Sequence, residues 1–222
     1  MRKLLLLLVS VLLLAPMATN ALTINEIRID NDGVDTDEYF ELAGNPGESL
    51  DGYSYIVIGD GVGGSGVLES ITDLTGQLIQ ADGFLAVHKE LTVGVCTGYD
   101  VELPMNFENS DNVTHMLVLN LTGFSQDDLD TDDDGVFDVT PWDSIVDSVS
   151  MIESIGSGEL VYGMNSVGPD GTFVPGQALV CDGDWVIGSF DLCLYDTPGA
   201  YNTACTVSND EATFSEIKAM YR

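Results

Sequence analysis

The chain has 222 residues, with 37 Asp or Glu against six Lys or Arg and a formal charge of −31. Such a surface repels phosphate backbones and anionic lipid, so nucleic acid is excluded as an expected partner, whereas divalent cations are attracted. Solubility or a salty habitat accounts for the charge equally well, and the length suits one β domain with long loops.

The chain opens as a secretory signal. Arg2 and Lys3 precede an apolar run from Leu4 to Leu14, Pro16 ends it, and Thr19-Asn20-Ala21 offers a cleavage site. The expected signal peptide is 1–21, with an uncleaved anchor as the alternative. The mature chain then starts at Leu22 with four basic residues (Arg28, Lys89, Lys218, Arg222) and a charge of −33. No Cys follows the apolar run, so no lipoprotein is expected. No later stretch approaches the length of a transmembrane helix.

Thr23 to Asp30 reads as the first strand, rich in β-branched residues but with imperfect alternation: Ile24 shares parity with Glu26 and Arg28, and Ile27 with Asn25. Glu38–Ala43, Tyr53–Ile58, Val67–Leu74, Phe84–His88, Met116–Leu121, Ile145–Ile152, Leu160–Tyr162 and Trp185–Ile187 follow as strands, separated by Gly, Asn, Asp and Pro turns. The glycine loop from Gly59 to Gly66 lacks the Lys and spacing of a phosphate cradle and reads as a hairpin connection. Seven or more short strands in two layers is the economical architecture. The expected core draws on Ile27, Phe40, Leu42, Ile56, Ile58, Leu85, Val87, Leu117, Leu119 and Val149. Phe214, Ile217 and Tyr221 in the polar tail 206–222 fall at the spacing of one short amphipathic helix. That tail is read as a frayed terminus or as a sorting tag.

Cys96, Cys181, Cys193 and Cys205 all lie in the exported part, an even number in an oxidising compartment, so two disulfides are expected. Three connectivities are open. The short turn-rich segment between them favours Cys193–Cys205.

Several ordered motifs resemble a known family. Ile24-Asn-Glu-Ile27, the acidic Asp35-Thr-Asp-Glu-Tyr-Phe-Glu-Leu42 and Leu50-Asp-Gly-Tyr53 resemble the opening of secreted bacterial lamin tail domains. Asp82-Gly-Phe-Leu-Ala-Val87, Val146-Asp-Ser-Val149 and Asp196-Thr-Pro-Gly-Ala-Tyr-Asn202 resemble its later strands and its close. The resemblance covers about Ile24 to Asn202. It implies an all-β, immunoglobulin-like antiparallel sandwich over residues 22–205, with long loop insertions. It also implies a non-catalytic scaffold or attachment module with a protein or cell-envelope partner, and no catalytic residue is carried over. An acidic insertion, 125–143, and a stretch from Gly163 to Asp184 depart from the plain domain and read as elaborations.

Inside the insertion, Asp130, Asp132 and Asp134 stand at positions 1, 3 and 5, Gly135 at the turn, the Val136 carbonyl at 7 and Asp138 at 9. Hard oxygens at this spacing wrap calcium. Pro141 stands where an EF-hand has its bidentate Glu, and the flanks are not helical. The loop instead resembles the units of thrombospondin type 3 repeats. A solvated, disordered acidic loop is the alternative.

His88 and His115 have no H-E-x-x-H or G-x-S-x-G around them, so both read as structural or surface histidines. The sequons Asn112-Val-Thr114 and Asn120-Leu-Thr122 read as chance. The chain is therefore expected to be a calcium-stabilised, secreted or cell-surface non-catalytic module. The alternatives are a secreted hydrolase using paired carboxylates and a carbohydrate-binding sandwich with exposed aromatics.

Overall fold

The computed structural model describes residues 21–31, 37–61, 64–89, 96–154, 160–202 and 205. Residues 1–20 of the expected signal peptide 1–21, and the tail from 206 with its expected helix, lie outside them. The described residues form eleven strands: β1 (Thr23–Arg28), β2 (Tyr39–Ala43), β3 (Tyr53–Gly61), β4 (Gly64–Asp73), β5 (Phe84–His88), β6 (Val101–Glu102), β7 (Val113–Leu119), β8 (Ser144–Met151), β9 (Asn165–Val167), β10 (Gln177–Cys181) and β11 (Asp184–Ile187). Among these residues no helix is long and apolar enough to cross a membrane.

Two sheets, ordered β11-β10-β1-β2-β5-β6 and β4-β3-β7-β8-β9, pack as an all-β sandwich. The ladders are antiparallel except for β5–β6 and β8–β9, which pair in parallel. That departs from a purely antiparallel expectation, because β6 and β9 are reached by long connections rather than hairpins. The irregular parity of β1 has a local cause: a bulge between Ile24 and Glu26 in its pairing with β2. One extra residue lets Ile24 and Ile27 both join the inter-sheet core.

Nine of the ten expected core residues are fully buried, and Leu119, at the end of β7, is half-buried. They divide between two layers. Ile27, Phe40, Leu42, Leu85, Val87, Leu117 and Val149 fill the space between the sheets, where the Phe40 ring stacks on Tyr55 at 3.7 Å. Ile56 and Ile58 point the other way and join Leu68, Met116, Val118 and Leu129 in a second cluster. β3 is thus apolar on both faces, as its unbroken run Tyr55-Ile-Val-Ile58 implies.

Three readings of the sequence need correction. β7 begins at Val113, three residues before the expected Met116. Leu160–Tyr162 is not a strand; the strand follows at Asn165–Val167 and pairs with β8. The supposed elaboration 163–184 contains β10, which lies between β1 and β11. Its five residues, Gln177-Ala-Leu-Val-Cys181, are buried almost throughout and show no alternation.

The cysteines form Cys96–Cys193 and Cys181–Cys205, with Cα–Cα distances of 5.2 and 5.0 Å, and not the favoured Cys193–Cys205. Residues 196–202 cross the first sheet, so Cys193 before them and Cys205 after them are each tied to a different neighbour. Cys193 is exposed, whereas Cys181 is only 9% exposed. A thiol reductant reaches the first bond more easily, because exchange requires access to a sulfur. Graded reduction followed by alkylation and peptide mapping is expected to label Cys96 and Cys193 first. Earlier labelling of Cys181 and Cys205 would show that access does not set the order.

Candidate metal centre and a buried carboxylate network

The acidic insertion lies between β7 and β8 and is bound to the sandwich. Leu68 N donates to Asp127 O (2.9 Å), Gln126 N to Leu68 O (2.7 Å) and Leu129 N to Gly66 O (3.0 Å), so its backbone covers the edge of β4. Its apolar residues Leu129, Phe137 and Trp142 cap the second cluster, and Phe137 stacks on Tyr162 at 4.6 Å. The approach to β4 needs a glycine: a Cβ at Gly66 (φ +85°) would lie 2.6 Å from the Cβ of Asp130.

Asp130 is the anchor of the loop and is 0% exposed. Its Oδ2 accepts from the Tyr162 hydroxyl (2.7 Å) and Gly135 N (2.9 Å), and its Oδ1 from Asp134 N (3.2 Å). Desolvation pushes its carboxyl up, but these donors together outweigh it and hold the group below the usual range. Asp132 is pushed up, first by the charge of Asp134 and then by partial desolvation and by Asp138 and Asp130. Oxygens of Asp130, Asp132 and Asp138 lie within 4.8 Å of one another. Asp134 is outside that group: its Oδ1 accepts from Val136 N at 2.9 Å. The Val136 side chain is 66% exposed. Asp133, not among the expected ligands, instead accepts from Ser65 N (2.7 Å) and ties the loop to β4. The donor set is all hard oxygen with no nitrogen or sulfur, which fits calcium chemistry. Only three of its carboxylates converge.

A second polar cluster was not foreseen. On the outer face of the first sheet, Glu26 and Glu41 stand directly opposite each other in the β1–β2 ladder, and both are fully buried. Beside them Arg28 grips Asp196 through Nε–Oδ1 (2.6 Å) and Nη2–Oδ2 (2.7 Å). The strap 193–202, which begins at the disulfide cysteine Cys193, runs across this face. Thr197 donates to Glu26 Oε2 through its amide (3.2 Å) and hydroxyl (3.0 Å), and Gly199 N donates to Glu41 Oε2 (2.6 Å). Asn202 Nδ2 reaches Asn25 O (3.1 Å) and Val180 O (2.9 Å). Glu26 Oε1 meets the Tyr39 hydroxyl (2.5 Å) and Gln177 Nε2 (2.7 Å), and Glu41 Oε1 accepts from Asn25 Nδ2 (2.6 Å). Burial is the main cause that pushes Glu26 up to about 7 and Glu41 up to about 8. The mixed parity of the first strand, with Glu26 and Arg28 on the same parity as Ile24, was the signal in the sequence, and one sequence cannot say what those charged residues meet.

The histidines are apart, on β5 and β7 of different sheets. His115 is fully buried against Tyr55, whose Oη lies 2.9 Å from its Nδ1; desolvation pushes it down to about 3, so the ring is neutral. His88 Nδ1 lies 2.6 Å from Lys89 O. Of the two sequons, Asn112 is buried, its side chain bonded to the backbone of residues 153 and 154. Asn120 is exposed and donates to Asp143 Oδ2 (2.7 Å).

No protein-family model, no curated protein and no solved structure matches this chain.

Proposed function

We propose that this chain is a secreted or cell-surface, non-catalytic structural and binding module of the lamin-tail type, with an immunoglobulin-like sandwich stabilised by calcium. One observation carries the reading. The residues that prompted the resemblance in sequence converge in space: Glu26 of I-N-E-I, Glu41 of E-Y-F-E-L, and Thr197, Gly199 and Asn202 of the closing D-T-P-G-A-Y-N are joined by hydrogen bonds. Motifs far apart in the chain that meet as one fastening favour a shared scaffold. The paired glutamates are engaged by structural donors on both oxygens, which favours a fastening over an acid–base pair. Two disulfides fit an exported protein. The partner is a protein or cell-envelope component.

Calcium at Asp130, Asp132 and Asp138 would relieve the repulsion recorded at Asp132 and bind the insertion more tightly over β4. Extracellular sites of this kind bind at about 10⁻⁴–10⁻³ M. At about 10 mM calcium, mass action then contributes about 1.4–2.7 kcal/mol. The melting temperature is expected to rise by about 3–10 °C, with a smaller response to magnesium. Asp130→Asn, Asp132→Asn and Asp138→Asn together should remove the rise. Calorimetry that finds no calcium binding at millimolar levels would reduce the loop to a charged spacer. Turnover of an ester, glycoside, peptide or nucleic acid that is lost on replacing a carboxylate pair would favour the hydrolase instead.

A further inference from the structure

We infer that Glu26 carries a proton in the folded protein and acts as the latch of the strap 193–202, which loosens when that proton is lost as pH rises. The inference is independent of the proposed function and begins with a count of protons. Tyr39 has one hydroxyl hydrogen, yet its oxygen sits 2.5 Å from Glu26 Oε1 and 2.9 Å from Asp196 Oδ1. Both distances are those of hydrogen bonds. A hydroxyl donates once, so one of the two carboxyls must supply the second proton. Arg28 grips both oxygens of Asp196 in a pair that is 0% exposed on each side, which keeps Asp196 ionised. The proton therefore belongs to Glu26. The chain of donors runs from Glu26 to Tyr39 to Asp196, and Arg28 closes it.

The position of Glu26 makes this proton consequential. Its other oxygen takes the amide of Thr197 at 3.2 Å and lies 3.0 Å from the Thr197 hydroxyl, whose one hydrogen also faces Asn202 Oδ1 at 2.8 Å. Glu41, its partner across the ladder, takes the amide of Gly199. Like charges directly opposite in a ladder are destabilising, and among the described residues no basic side chain is bonded to either glutamate. The charged and titratable groups that bear on the cluster are Arg28 on β1, Tyr39 and Glu41 on β2, and Asp196 on the strap. From the packed segment after Cys96 come Tyr99 and Asp100, with His88 against the Tyr99 ring and Asp37 near it. Arg28 is the single cation among them and is committed to Asp196. Once Glu26 ionises, two carboxylates compete for the one Tyr39 hydrogen, and a like charge joins it across the ladder only as Glu41 ionises in turn, through about pH 8.

Burial raises Glu26 to about 7, against 4.5 for an ordinary glutamate. The folded chain thus keeps a proton that the unfolded chain releases, and its contribution to stability is complete below about pH 4.5 and lost as pH rises through about 7. Hydrogen exchange at the Thr197 amide, which is bonded to Glu26 itself, corrected for the intrinsic rate, tests the latch directly. Protection is expected to fall at least tenfold from pH 6 to pH 9 in the unaltered protein. In Glu26→Gln, whose neutral amide can donate to Tyr39 at any pH, it should stay constant. Unchanged protection in the unaltered protein, or the same fall in Glu26→Gln, overturns the inference. Should the variant fail to fold, a carbon-13 titration of the unaltered protein decides: a Glu26 carboxyl protonated at pH 6 upholds the latch, and an ionised one overturns it.

Discussion

Replacing Arg28 by Met is expected to destabilise the protein by about 3–5 kcal/mol, the usual penalty for breaking a buried ion pair from one side. Arg28 and Asp196 are both 0% exposed, and the guanidinium meets the carboxylate through two bonds of 2.6 and 2.7 Å. A third donor, Nη1, serves Asp30 O at 3.1 Å. Methionine has similar length and no charge, so the packing is largely kept while Asp196 is left charged, buried and beside Glu26. For a domain of this size the melting temperature should fall by about 6–20 °C. The double change Arg28→Met with Asp196→Leu should recover much of the loss, because the stranded charge is then gone. Urea denaturation of the two variants checks this. A loss below about 1 kcal/mol in the single variant would mean that water reaches the pair.

The disulfides should differ in worth, and in an order that their exposure does not suggest. Cys96–Cys193 spans 97 residues and Cys181–Cys205 spans 24. In the chain-entropy account the longer loop restricts the unfolded state more, so Cys96→Ala with Cys193→Ala is expected to cost about 4.7 kcal/mol. Cys181→Ala with Cys205→Ala is expected to cost about 3.4 kcal/mol on the same account. The more accessible bond is therefore the more stabilising one. Cys96–Cys193 also sets the start of the strap, where Cys193 N donates to Asp196 Oδ2 at 2.6 Å. Close approach there depends on Gly98 (φ +112°), since a Cβ would lie 2.2 Å from Pro198 O. Equilibrium unfolding of the two variants ranks them. A larger loss from the shorter loop would show that local packing around the buried Cys181 outweighs loop closure.

The sequence by itself determined the sheet class, most of the strands and nearly all of the core. Hydrophobic runs and turn residues act locally, so Tyr53–Ile58 or Phe84–His88 declare themselves within a few residues. It also determined that the four cysteines pair, and that Asp130, Asp132 and Asp138 share one short loop. The tertiary structure alone decided the rest. It chose Cys96–Cys193 and Cys181–Cys205, because pairing depends on which distant segments lie side by side. It revealed β10, whose burial on both faces erases alternation. It turned the irregular parity of β1 into a bulge, which exists only relative to β2. It made the acidic insertion a cover for the β4 edge, with Asp134 turned to its own backbone. Above all it brought Glu26, Glu41, Arg28 and Asp196 together. Each reads in sequence as one more polar residue in an acidic chain, and only contact between residues as far as 168 positions apart gives them a buried ion pair and a strap to hold.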